Sequence, residues 1–254
     1  MGYSIGVCGD SGSGKTTLSN VLSKDLRNCL VLECDRYHRW KRGHQKWDEY
    51  THLDIKANHI DMMSDDVNSL IRKDAITRCD YNHTNGRFTS PQEITPTDNL
   101  IVCGLHSLYC DDVFDVKIYM DTDDRLRTFW KISRDTKSRG HTFESVREQI
   151  EHRREDFEKY IKPQKEKADV IVNFYSDSDD KLDTVKGIGT KMKIKVKKSI
   201  SKDFIYRVYS ENFMSAVVSS QGSYNVISFL SYPTSDVRYY YDYISILIKA
   251  ILLK

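Results

Sequence analysis

The chain lacks an excess of charge of either sign. Its 39 Lys and Arg against 37 Asp and Glu leave a formal net charge of +2, so nothing in the balance calls for a nucleic-acid partner. Long hydrophobic runs are also missing: the stretch Tyr243 to Leu253 is too short to span a bilayer and contains Lys249, so no membrane partner is expected. The six cysteines (Cys8, Cys29, Cys34, Cys79, Cys103, Cys110) form no C-x-x-C pair. Several lie in apolar runs, where a thiol behaves as a small hydrophobe, which points to a reducing compartment, the cytoplasm. His52, His59 and Cys79 show no zinc-finger spacing, so no structural zinc is expected. The strand pattern starts at Tyr3 and leaves no room for a secretory leader, and position 6 is not the Ser or Thr that N-myristoylation requires. There is no internal repeat and no low-complexity tract.

What is present begins with Gly9-Asp10-Ser11-Gly12-Ser13-Gly14-Lys15-Thr16, a match to G-x-x-x-x-G-K-[ST]. Such a loop turns backbone N–H groups onto nucleotide phosphates. Lys15 would reach the outer phosphates, Thr16 would bind Mg²⁺, and Thr17 continues the site. The context fits. Tyr3 to Cys8 reads as a buried strand, and the residues after the loop read as a helix with Leu18, Val21, Leu22 and Leu26 on one face. Strand, glycine loop and helix is the order in which a helix N-terminus adds its dipole to an anion site.

The 254 residues suffice for one good core with a small second unit. Residues 1–175 alternate strand and helix patterns: strands at Ile5–Cys8, Cys29–Cys34, Leu100–Cys103, Val116–Met120 and Val170–Phe174, helices at Lys15–Leu26, His59–Arg72, Asp124–Lys137 and Phe143–Tyr160. The fold class is therefore α/β, a mostly parallel sheet flanked by helices, with ligands at the C-terminal strand edge. Composition shifts at the linker-like Ser176–Lys181, so residues 176–254 are expected to form a strand-rich extension ending in a helix, packed on or extending the first part. In it Met192, Ile194 and Val196 alternate with lysines, Phe204–Tyr209 and Tyr224–Leu230 read as strands, and Ser235 could cap the final helix. The lysine face reads as protection of a sheet edge, in preference to an anion-binding surface.

Asp35 closes the second strand and precedes a basic, aromatic run from Arg36 to Lys46. A carboxylate there suits a general base beside an anionic substrate; an ordinary loop-capping Asp is the plainer alternative. Arg134-Asp135 through Arg139-Gly140-His141 forms a second cluster. Its arginines could close on a transferred phosphoryl group, or could simply be cations at a helix C-terminus, and spacing leaves both open.

Taken in order, these segments resemble the phosphoribulokinase group within the phosphoribulokinase/uridine kinase family of P-loop kinases. The resemblance runs through the P-loop, Asp35-Arg36-Tyr37-His38-Arg39, Leu53–Asn58, Tyr81-Asn82-His83-Thr84-Asn85-Gly86, Gly104-Leu105-His106, Arg134–His141, Pro163-Gln164-Lys165 and Ala168-Asp169-Val170, covering residues 3–175. It implies ATP- and Mg²⁺-dependent phosphorylation of a hydroxyl on a sugar phosphate, ribulose 5-phosphate in the type enzyme. Asp35 would be the base, and Lys15, Asp135 and Arg139 would complete the catalytic set. His38, Arg42, Lys46, Tyr81, His83, His106 and Arg134 would hold the acceptor. A nucleoside acceptor is the alternative, but an existing phosphate calls for cations, and the run after Asp35 supplies them.

One departure bears on activity. The family normally carries Glu immediately before Gly-Leu-His, in support of Mg²⁺; here that residue is Cys103. A thiol is a poor ligand for a hard cation. The chain could thus be a slow kinase, a kinase in which Asp121 or Asp135 compensates, or a nucleotide-binding protein without turnover. Ser13 stands where some plant-type relatives have a regulatory Cys, so thiol control is not expected. The region beyond Ser176 is shorter than in many relatives and leaves a homo-oligomer open.

Overall fold

The structure, a computed structural model, describes residues 2–138, 140, 142–176, 190–229 and 237–254. In chain order its elements are β1 (Ser4–Gly9), α1 (Lys15–Asp25), β2 (Cys29–Glu33), α2 (Ile60–Ile71), β3 (Ile76–Arg78), β4 (Tyr81–Asn82), β5 (Arg87–Phe88), β6 (Gln92–Ile94), β7 (Asn99–Gly104), β8 (Val116–Thr122), α3 (Asp124–Ser138), α4 (Phe143–His152), α5 (Arg154–Asp156), β9 (Val170–Tyr175), β10 (Lys191–Lys197), α6 (Lys202–Glu211), β11 (Ala216–Gln221), β12 (Tyr224–Phe229) and α7 (Arg238–Leu252). A single eight-stranded sheet runs β11-β12-β10-β9-β8-β1-β7-β2. Strands β9, β8, β1, β7 and β2 pair in parallel, whereas β10, β12 and β11 add antiparallel to the β9 side.

The parallel strands are short apolar runs because helices cover both faces. On one face Ile5, Ile101 and Ile118 pack with Leu18 and Leu22 of α1 and with Ile244, Leu247 and Ile248 of α7. On the other, Leu32, Val102 and Tyr119 pack with Met63, Val67 and Leu70 of α2. The α/β class and the parallel sheet are as the periodicity predicts.

Three local expectations fail, and one strand is unanticipated. Phe204–Tyr209 is helical, not extended: Ser201 caps α6 by accepting from the Phe204 N–H, and Ile205, Val208 and Tyr209 are buried at helical spacing. The lysine-bearing strand β10 lies inside the sheet between β9 and β12, so its lysines protect no edge. Its apolar alternates enter the core while Lys197 pairs with Asp169 and Lys193 lies over Tyr175. The helix expected over Phe143–Tyr160 breaks after His152, because Arg153 leaves helical geometry (φ −95°, ψ 2°), and the chain resumes as a wide π turn over Phe157–Ile161. Strand β11 has no counterpart in the sequence reading, its burial being almost wholly exposed and therefore unpatterned. Ser235, the expected cap, and most of the linker lie outside the described residues.

Candidate active site

A cleft of about 810 Å³ opens at the C-terminal edge of the parallel strands, where loops after β1, β2 and β7 meet α3, α4 and α7. One wall is the loop between β1 and α1. Gly14, with φ 93°, gives way directly to α1, and a side-chain carbon there would collide with the Tyr241 hydroxyl of α7. Asp10 organises the loop: its carboxylate accepts from the Ser11 N–H at 2.6 Å, and its carbonyl accepts from Ser13 N–H and, at 2.7 Å, from Lys15 Nζ. Arg127 pairs with Asp10 at 3.1 Å, and Arg134 donates to Ser11 Oγ at 3.1 Å, so α3 braces the loop from outside. Among the described residues Ser13 Oγ is buried without a partner. Ser11, Gly12, Gly14, Lys15, Thr16 and Thr17 all line the cleft.

Across from the loop stands Asp35, in the tight turn Cys34–Tyr37 that follows β2. Two histidines converge on it. His83 Nε2 lies 3.2 Å from Oδ2 and His38 Nε2 3.6 Å from Oδ1. Each is aimed by its own scaffold. Asn58 donates through Nδ2 to the carbonyls of His52 and Asp54, which fixes its amide so that Oδ1 accepts from His38 Nδ1–H at 2.8 Å. His83 rides the β4–β5 hairpin, whose turn is tied by Asn82 Oδ1 to the Thr84 and Asn85 N–H groups and docked on Arg42. Arg42 in turn donates to the His83 carbonyl at 2.7 Å. Burial alone would raise the Asp35 carboxyl. The His83 hydrogen bond and the charges of His38, His83 and Lys15 outweigh it and hold Asp35 well below the usual carboxylate range, ionised.

A third group comes from α3. Asp135, 2 % exposed, accepts from Lys131 Nζ and Arg134 Nε, each at 2.8 Å. Burial, then the charge of Arg153, pushes the Lys131 ammonium down to about 8 against the pull of Asp135. Asp135 sits at about 2, burial being overcome by the Arg134 and Lys131 hydrogen bonds.

The structure thus brings Lys15, Thr16, Asp35, His38, Arg42, Tyr81, His83, Arg134 and Asp135 to one cleft. Two expected acceptor residues are not brought there. His106 is buried and donates to the Leu53 carbonyl at 2.9 Å, anchoring the 51–58 segment beneath the cleft. Burial pushes its imidazole down to about 4. Lys46 is exposed and pairs with Glu49 at 2.5 Å, because its turn points it outward. Arg139 lies outside the described residues. The sequence reading missed Glu33, Trp47, His52, Lys131, Arg153 and Tyr241, all lining the cleft. Lys131 had a signal, its i,i+4 spacing from Asp135; Arg153 and Tyr241 had none, since only the tertiary fold carries them here.

Cys103 ends β7 in register with Glu33 of β2, and both line the cleft. Burial pushes the Cys103 thiol up to about 11, so it is neutral at physiological pH and supplies no anion. Thr16 offers a hard hydroxyl oxygen and Glu33 a hard carboxylate, a donor set that fits Mg²⁺ in company with phosphate oxygens; Cys103 does not fit. Among the described residues no group of three or more His, Cys, Asp or Glu is arranged to hold a metal by itself, and no helix is long and apolar enough to cross a membrane.

Comparison with known proteins agrees with this architecture. The model of the phosphoribulokinase/uridine kinase family matches residues 4–181. Phosphoribulokinase of Synechocystis sp. is 34% identical over 175 residues, covering 66% of this chain and 52% of that protein. Chloroplastic phosphoribulokinase of Spinacia oleracea is 35% identical over 192 residues, covering 66% and 47%. Uridine kinase of Bacillus pumilus is 33% identical over 178 residues, covering 66% and 84%. The chain therefore spans about half the length of the phosphoribulokinases it matches. In structure, phosphoribulokinase from Rhodobacter spheroides superposes with a TM-score of 0.74 over 99% of this chain and 97% of that one, at 19% identity, a likeness of fold.

Proposed function

This chain belongs to the phosphoribulokinase/uridine kinase family, and from that premise we propose that it is an ATP-dependent kinase whose acceptor is a hydroxyl of a sugar phosphate. One observation carries the reading. An ionised Asp35, held by His38 and His83, faces the same cleft as Lys15 and Thr16 of the phosphate loop.

In this reading the loop N–H groups and Lys15 bind the phosphates of ATP. Asp35 accepts the acceptor hydroxyl proton as its oxygen bonds to the γ-phosphorus and ADP departs. His38 and His83 orient Asp35, and Lys131 and Arg134, fixed by Asp135, offset charge on the transferred group. Thr16 would hold Mg²⁺, which when bound neutralises phosphate charge. Arg42 lies on the Asp35 side, where a phosphate already on the acceptor needs a cation. Residues 176–254 act as an extension of this kinase unit, and the six cysteines, all free thiols, suit a cytoplasmic enzyme.

A second reading rests on Cys103: a nucleotide-binding protein that does not turn over. ADP release from ATP and Mg²⁺, measured with ribulose 5-phosphate, other sugar phosphates and uridine, separates the readings. Stimulation by a pentose phosphate supports the proposal, stimulation by uridine alone moves the acceptor to nucleosides, and ATP-dependent thermal stabilisation with no stimulation by any acceptor favours loss of turnover.

A further inference from the structure

Three carboxylates line the cleft, and two are engaged. Asp135 is bonded by Lys131 and Arg134, and Asp35 faces His38 and His83. Asp121, the other residue considered as a compensator for Cys103, lies outside the lining and pairs with Lys165. Glu33 differs. Its backbone carbonyl accepts from Arg36, whose guanidinium turns to Asp80, but its carboxylate has no hydrogen-bond or ion-pair partner among the described residues.

The sheet register says where that carboxylate projects. Glu33 is paired with Cys103, and Cys103 with Val7. Residues two positions earlier, Val31, Ile101 and Ile5, all pack in the cluster formed with Leu18 and Leu22 of α1. Strand side chains alternate with period two, so Glu33 lies on the α1 face, at the end where α1 begins with Lys15 and Thr16. An unpaired anion in a cleft built for polyphosphate repels its own ligand. A divalent cation between the two converts that repulsion into attraction.

We propose that Glu33 is the carboxylate that anchors the divalent cation of the phosphate site, acting with Thr16 in the place Cys103 cannot fill. The proposal rests on the kinase reading above. It also explains how a thiol is tolerated at position 103: the neighbouring strand supplies the oxygen ligand from the paired register position.

The test is the sign of one substitution. Binding of the non-hydrolysable ATP analogue AMP-PNP is measured by calorimetry on the full chain and on Glu33→Gln, once in EDTA and once in Mg²⁺. Manganese affinity of the same complexes is followed by electron paramagnetic resonance. Expected is a reversal: Glu33→Gln binds the metal-free analogue at least as tightly as the parent, yet loses on the order of tenfold in the presence of Mg²⁺ and in Mn²⁺ affinity. Glu33→Asp, which keeps the charge, keeps the Mg²⁺ dependence with smaller amplitude. Equal change by Glu33→Gln with and without metal would mark a structural role and overturn the inference, as would unchanged Mn²⁺ affinity. If the parent chain itself binds no analogue in either condition, the kinase reading falls, and this inference with it.

Discussion

His83 Nε2 reaches to 3.2 Å of Asp35 Oδ2 from the β4–β5 hairpin, and that contact leads those that lower the Asp35 carboxyl against the burial that would raise it. Asp35→Asn keeps the shape and removes the proton acceptor. Phosphoryl transfer is expected to fall by about 10²- to 10⁴-fold with ATP affinity unchanged. His83→Gln keeps a hydrogen-bond donor for Asp35, so its loss is smaller. Single-turnover rates beside equilibrium ATP binding check both, and an Asp35→Asn enzyme of full activity would remove the base assignment.

Lys131 predicts an alkaline limit. Its ammonium, at about 8, loses its charge as pH rises through that value, and the cleft then lacks a cation beside the phosphate loop. Turnover and ATP affinity should both decline above about pH 8, a limb that Lys131→Arg moves out of range because guanidinium stays protonated. A pH profile of kcat/KM for the two proteins decides it.

Acid stability follows from two histidines kept neutral by their surroundings, His106 buried and His52 partly buried. His106, pushed down to about 4, and His52, pushed down to about 3 by burial, bind no proton in the folded state between those values and 6.5, whereas the unfolded chain does. Their folded pKa values are depressed, so stability is lost as pH falls through that window, at about 1.4 kcal/mol per pH unit for each group. His106→Gln should flatten the dependence between pH 6.5 and 4, read by urea unfolding midpoints.

Tyr241 couples the C-terminal region to the phosphate loop. Tyr241→Ala removes a buried ring packed beside Gly14 and should cost about 3 kcal/mol of stability and weaken ATP binding together. Gly14→Ala should do worse, since it strains the backbone as well as colliding with that ring. Thermal melts with and without ATP distinguish a loss of folding from a loss of binding.

The sheet and the phosphate loop were legible because both are local: strands buried on two faces read as apolar runs, and the loop is one unbroken motif. The position of Asp35 at the strand edge was legible because it stands directly after such a run. What stayed hidden was lateral. The register of Glu33 with Cys103 depends on which strands become neighbours, a matter decided by residues far apart in the chain. The helix over Phe204–Tyr209 reads as a strand in sequence because its aromatic and β-branched residues favour strands, while burial of Ile205, Val208 and Tyr209 on one side chooses the helix. His106 looked like a ligand-binding residue by its motif, yet its imidazole serves the Leu53 carbonyl. A histidine's partner cannot be read from its neighbours in sequence.

The packing of α7 on α1 has a consequence for biosynthesis. Ser245 bonds Asp25, and Tyr241 abuts Gly14, so residues made early meet residues made more than two hundred positions later. A nascent chain that has emerged only through β9 already carries the phosphate loop and Asp35 but still has one wall of its cleft open.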